Sequence, residues 1–272
     1  MSAISYTTED RVATIRINRP ERRNALNHGA LDEMHDAIRR ASEDGLRALV
    51  LTGSDGHFCA GADLTELEDL AFTDSLRAML DDLAGLEFPT IAAVAGSCMG
   101  LGMQLALACD LRLTTPEARF AVPVAKLGLM VDHWTIRRLS LCAGHSTARW
   151  MLLTASPIGA EAAVRSGLVQ QLVPVGDSGK SGKHPDAGAT VLHEALELAR
   201  SIAALAPLSL AGSKLGLDLI EGELDHTRAL GGAPGEGADP YRAAFEAAWS
   251  SEDLVEGRRA FTERRAPDFR GS

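Results

Sequence analysis

No apolar run in this sequence approaches the length of a membrane span, and Met1-Ser-Ala-Ile-Ser5 lacks the basic-then-apolar order of a signal peptide. The expected location is therefore the cytoplasm. Positive charge is scarce as well. Against 37 Asp and Glu stand 27 Lys and Arg, a formal net charge of -10, which argues against a nucleic-acid partner. Cys59, Cys98, Cys109 and Cys142 have no paired or metal-type spacing, and three of them sit in apolar runs, so they read as buried free thiols. His28 and His35 are too far apart for a metal-binding pair on one helix turn, and no metal site is expected. Gly179-Lys-Ser181 lacks the upstream glycine of a phosphate loop, having Pro174 in its place.

What is present is enough for a full core: 272 residues, 46% of them hydrophobic. Strands are expected at Ile4 to Thr8, Val12 to Asn18 and Ala48 to Thr52, with a helix from Asn27 to Ala41 whose Leu31, Met34 and Ile38 share one face. Strand and helix alternate again at Thr90 to Cys109 and, after the helix-rich stretch Ser146 to Gly167, at Leu168 to Pro174. That rhythm predicts an α/β core. Gly176 to Gly188 reads as a loop by composition. Beyond Thr190 the pattern is helical, with helices at Val191 to Leu205, from Pro207, at Tyr241 to Trp249 and at Leu254 to Arg265. One large domain with a helical appendage follows, divided at residues 1–205 and 206–272.

The chemistry concentrates in two glycine-rich turns. Thr90 to Gln104 reads as a buried strand, a turn through Gly96, Gly100 and Gly102, and a helix starting near Gly100 or Leu101. The first amides of such a helix have no carbonyl partner and lie at the positive end of its dipole, so they can donate to a developing oxyanion. Ala60-Gly-Ala62 follows the strand Ala48 to Thr52 and can aim a second amide without a bulky side chain in the way. Gly96-Ser-Cys-Met-Gly100 also fits a nucleophile elbow with Cys98, but no ordered acid and histidine accompany it.

In order and spacing, Asn18-Arg-Pro20, Asn24-Ala-Leu26, Phe58-Cys-Ala-Gly-Ala-Asp63, Ile91 to Asp110, Ser166-Gly-Leu-Val169, and Phe261 with Arg264 resemble the crotonase, or enoyl-CoA hydratase/isomerase, superfamily. The resemblance implies a crotonase-like spiral of strand-strand-helix units over residues 1–205, with residues 206–272 as a helical oligomerisation region of a trimer or hexamer. It implies an oxyanion hole made by the amides of Ala62 and Leu101. It places Arg22, Arg23, Ala60, Asp63, Leu64, Gly100, Trp134, Phe261 and Arg264 around acyl-CoA, the last two from their own or a neighbouring subunit. No permanently bound cofactor is implied.

Hydratases of the superfamily carry glutamates where this chain has Gln104 and Val124. Gln104 can hold a water but cannot accept its proton at neutral pH, and Val124 can do neither. Hydration should then be weak or absent, although similarity places the chain among lyases. Two substitute acids stand nearby. Asp132 reads as the N-cap of a helix ending near Gly144, or as an acid in the acyl pocket, since a dehalogenase branch carries a nucleophilic aspartate at the matching place. Glu66 reads as a solvated helix residue or as one turned inward. Leu127-Gly-Leu129, Asp132 and Trp134-Thr-Ile-Arg-Arg-Leu139 resemble a mycobacterial subgroup understood to bind long fatty acyl-CoA and pass it to fatty-acid synthesis enzymes without hydrating it. The alternative is an active hydratase/isomerase, or another thioester enzyme, using a substitute acid.

Overall fold

The computed structural model describes residues 2–63, 70–175, 186–223 and 240–272. It is an α/β fold, as the sequence predicts. A six-stranded sheet runs in the order β1-β2-β3-β4-β6-β9, with β1 (Ile4–Glu9), β2 (Val12–Ile17), β3 (Ala48–Gly53), β4 (Thr90–Val94), β6 (Leu111–Thr114) and β9 (Gln171–Leu172). A smaller sheet pairs β5 (Ser97–Met99), β7 (Arg119–Ala121) and β8 (Ile158–Gly159). Cys59 extends this small sheet through a single parallel bridge to Cys98. Successive stretches of chain thus feed the large sheet and then the small one: β3 leads to Cys59, β4 to β5, and β6 to β7. The result is a spiral.

Both faces of the large sheet are covered at its centre, so β3 and β4 are buried along nearly their whole length and largely apolar, while edge strand β1 is mostly exposed. Leu49, Leu51, Ala92 and Val94 pack toward α1 (His28–Glu43), α2 (Leu70–Ala84) and α3 (Leu101–Ala108). After α4 (His133–Ala143), the helices α5 (His145–Thr154) and α6 (Ala160–Arg165) lead the chain back to β9. Ala48, Val50, Ile91 and Ala93 pack toward Val191, Ala195 and Ala199 of α7 (Ala187–Ala203). Period-two alternation along one strand serves two cores.

Two readings need correction. The glycine turn after β4 contains a strand, β5, because Gly100 donates to Ala121 and Met99 to Cys59 on either side of it. The strand expected over Leu168 to Pro174 shrinks to Gln171–Leu172. The helical tail docks on its own chain: Lys214 of α8 (Pro207–Glu223) lies 2.9 Å from Asp110, and Glu221 pairs with Arg138 of α4. The division at 205/206 falls in the turn between α7 and α8. No single described helix is long and apolar enough to cross a membrane.

Candidate functional site

Two backbone segments that lie far apart in sequence meet edge to edge. Cys59 donates to the Ser97 carbonyl (2.9 Å) and accepts from Met99 (3.0 Å), which lays Phe58–Asp63 alongside the start of α3. Gly102 seals the contact, since a Cβ there would stand 2.3 Å from the Cys59 carbonyl oxygen. On its other side the first segment is pinned by Leu26, which donates to Gly61 (2.9 Å) and accepts from Asp63 (2.7 Å). In a parallel bridge of this kind the residue between those two bonds, Ala62, turns its own amide away from Leu26. Leu101 opens α3, so its amide has no intrahelical partner. Neither amide is hydrogen-bonded to a described residue. Gly61 (φ 122°) and Gly100 (φ 52°) hold the two turns in conformations that side chains oppose.

Asn24 supports this frame. It is fully buried, and its side chain donates to the carbonyls of Ser54 (2.9 Å) and His57 (2.7 Å) while accepting from Arg19 N (3.0 Å). The conspicuous Asn24-Ala-Leu26 motif is therefore architectural.

Both residues that bear these amides line a cavity of about 720 Å³, within the ordinary range for small-molecule sites. Its walls are Ala60 to Asp63, then Gly100, Leu101 and Gln104, then Phe72, Leu76, Arg77 and Leu80 of α2, and finally the stretch from Pro123 to Asp132. Val124 lines it from a 3₁₀ turn. Exposed Arg22 and Lys126 supply cations at its rim. A further apolar cavity of about 320 Å³ shares Val124, Leu129, Met130 and Val131 with the first and continues between Ile136 and Leu152. Another hollow, about 500 Å³ between α8 and the last helix, contains none of the motif residues.

Asp132 stands at the start of α4. It caps α4, accepting from Thr135 N at 3.1 Å, and it lines the cavity. Burial alone would push its carboxyl up, but hydrogen bonds from the Thr135 hydroxyl and amide, joined by Arg77 at 3.1 Å, outweigh that and hold it below the usual carboxylate range. Asp63, also in the wall, is buried and ion-paired with Arg19 at 3.3 Å. Gln104 Nε2 donates to Thr135 Oγ1 at 2.9 Å.

Other predicted residues lie elsewhere. Trp134 does not border the cavity; its ring packs beneath the Arg77 guanidinium, 4.2 Å from the centroid. Arg23 and Arg264 are exposed and outside the cavity wall of their own chain. Phe261 sits on the last helix (Glu252–Glu263), its side chain outside the described set. Leu64, Glu66 and Gly179 to Ser181 lie outside the described residues. Cys98 is fully buried, which pushes its thiol far up and disposes of the nucleophile elbow; burial likewise pushes Cys59 and Cys109 up to about 12. Sequence reasoning missed α2, Arg77 and Thr135. The spacing of Phe72, Leu76, Met79, Leu80 and Leu83 is the signal that could have found that wall. Among the described residues no three side chains cluster as metal ligands.

Comparison with known proteins agrees with this fold. Residues 7–272 match the family model described as enoyl-CoA hydratase/isomerase. The chain is 37% identical over 270 residues to the probable enoyl-CoA hydratase echA6 of Mycobacterium tuberculosis, covering 99% of this chain and 100% of that one. It is 32% identical over 264 residues to the mitochondrial enoyl-CoA hydratase of Pongo abelii, covering 95% and 83%. Among solved structures, an enoyl-CoA hydratase/carnithine racemase from Magnetospirillum magneticum superposes with a TM-score of 0.83 at 27% identity, covering 100% of this chain and 97% of that one.

Proposed function

The chain belongs to the enoyl-CoA hydratase/isomerase family, and we propose that it uses the family's site to bind fatty acyl-CoA in lipid metabolism without efficient hydration. The observation that carries this reading is the wall shared with the two free amides, where Gln104 and Val124 stand and neither can take a proton from water. The amides of Ala62 and Leu101 would grip the thioester oxygen, which polarises the carbonyl. Arg22 and Lys126 suit the CoA phosphates at the rim, and the adjoining apolar cavity suits a long acyl chain. Arg23, exposed beside Arg22, suits the CoA nucleotide, and Phe261 and Arg264 would reach CoA from the last helix of their own or a neighbouring subunit of a trimer or hexamer. Exposed Trp150, Leu153, Leu217 and Trp249 offer apolar surface for such copies. Fatty-acid synthesis enzymes are the proposed recipients of the acyl group.

A second reading, an enzyme drawing on Asp132, has one observation in its favour: that carboxylate borders the cavity. Hydrogen bonds from Thr135 and Arg77 hold that carboxylate below its usual range, which makes it a weak base toward water. Asp63 is engaged with Arg19. The two readings separate in a pair of assays. Saturated acyl-CoA should bind saturably in a calorimetric titration, while the ultraviolet absorbance of conjugated enoyl-CoA of several chain lengths stays constant. Robust loss of that absorbance, abolished by Asp132→Asn, would establish the second reading instead.

A further inference from the structure

The smaller, apolar cavity does not end as it begins. It adjoins the main cavity along Val124, Leu129, Met130 and Val131, and helix α4 sets the order of the two. Asp132, at the start of α4, borders the first cavity, while Ile136 and Ser140, one and two turns on, border the second. Ser140 is thus about 12 Å along the helix axis from Asp132. Helix α5 supplies the facing wall, with His145, Ala148, Arg149 and Leu152 at the spacing of one helix face. Polar groups collect where α4 turns into α5. Ser140 Oγ lies 3.4 Å from His145 Nδ1, and Arg149 stands one turn beyond His145 on the same face. Both His145 and Arg149 are exposed, so this end opens to water. No Asp or Glu among the described residues lines the cavity, and Arg149 makes no hydrogen bond or ion pair with any described residue.

An apolar passage that leads from a thioester grip to an unpaired guanidinium suits a chain with an anion at its far end. We propose that the site takes thioesters of α,ω-dicarboxylic acids, the methylene chain lying between Val124, Val131 and Ile136 and the terminal carboxylate reaching Arg149. The guanidinium is a permanent cation with a fork of donors matched to a carboxylate. Ser140 and His145 can each add a donor. In a chain of net charge -10 such a local cation is what draws an anion to this end. A carboxylate that stopped short of it would lose its water among apolar side chains without gaining a partner, so chain length decides the fit. The proposal rests on the acyl-CoA reading above and names the ligand class of the same site.

The test is calorimetry of the full chain with pairs of CoA thioesters of equal chain length, one ending in a methyl group and the other in a carboxylate, over a series of lengths. Both members of a pair carry the same CoA, so its contacts cancel. At one length or more the carboxyl-ended member should bind about 3- to 5-fold more tightly, the upper range for an exposed ion pair, and added salt should shrink that advantage. Arg149→Met keeps the apolar stem and should abolish the advantage while methyl-ended thioesters still bind, which shows that the variant is folded; Arg149→Lys should keep part of it. No tighter binding of the carboxyl-ended member at any length, or an advantage that survives Arg149→Met, overturns the assignment while leaving acyl-CoA binding intact. Failure of every thioester to bind overturns both.

Discussion

The Gln104→Glu, Val124→Glu double variant should hydrate a 2-enoyl-CoA at least about 10²-fold faster than the unaltered protein, since one positioned proton-transfer group contributes roughly 10²- to 10⁴-fold. Both positions already border the cavity that holds the Ala62 and Leu101 amides, so carboxylates there need no new opening. A carboxyl at 104 meets the Thr135 oxygen, whose own hydrogen is donated to Asp132, and facing acceptors raise its affinity for a proton. One at 124 borders the apolar lining of Leu129, Met130, Val131 and Ile136, and loss of solvation raises its affinity as well. Hydration needs one of the two ionised to activate water and the other protonated to supply the α-carbon. The measurement is the rate of enoyl absorbance loss, with enoyl-CoA affinity determined alongside. Unchanged affinity with no gain in rate would contradict the claim that the acids alone separate this site from a hydratase.

Gly102→Ala should lower stability by about 1–3 kcal/mol, the usual range for overpacking, and should weaken acyl-CoA binding in the same variant. The added Cβ would stand 2.3 Å from the Cys59 carbonyl oxygen and 2.9 Å from its Cβ, inside any permitted contact. The nearest of these atoms is backbone, so no side-chain rotation relieves it. Helix α3 and the segment Phe58–Asp63 must separate, and each bears one of the two free amides. Gly29 provides the contrast. It lies on the exposed side of α1, and a methyl group added there would meet nothing within 4 Å, so Gly29→Ala should gain up to about 1 kcal/mol and leave binding alone. Urea unfolding and thioester titration of both variants check the pair. Gly102→Ala matching its parent in both would show that the two segments are not held by this contact.

Local pattern made much of this molecule legible. Leu31, Met34 and Ile38 marked α1, apolar runs marked β3 and β4, and Asp132 was readable as a cap because it directly precedes the first turn of α4. The glycine turns identified both amide-bearing segments, since tight turns and close approach leave little choice of residue there. Long-range pairing was invisible. Strand β5 is three residues long and exists because Arg119–Ala121, some twenty residues on, lies beside it. The amide orientation of Gln104 depends on Thr135, and that of Thr135 on Asp132, a chain that no periodicity reports. Trp134 suggests an acyl-binding role by its size and place in a motif, but its ring answers to Arg77 from α2, a helix absent from the sequence-based expectation.

The central claim is that two backbone amides hold a thioester oxygen while no neighbour transfers a proton. Isotope-edited infrared spectroscopy of acyl-CoA carrying carbon-13 at its carbonyl tests both halves in one sample of protein in heavy water. The account predicts a thioester stretch moved to lower wavenumber on binding, with the α-hydrogens of the recovered ligand unexchanged. A stretch at its free-solution position, or deuterium incorporated at the α-carbon, would contradict it.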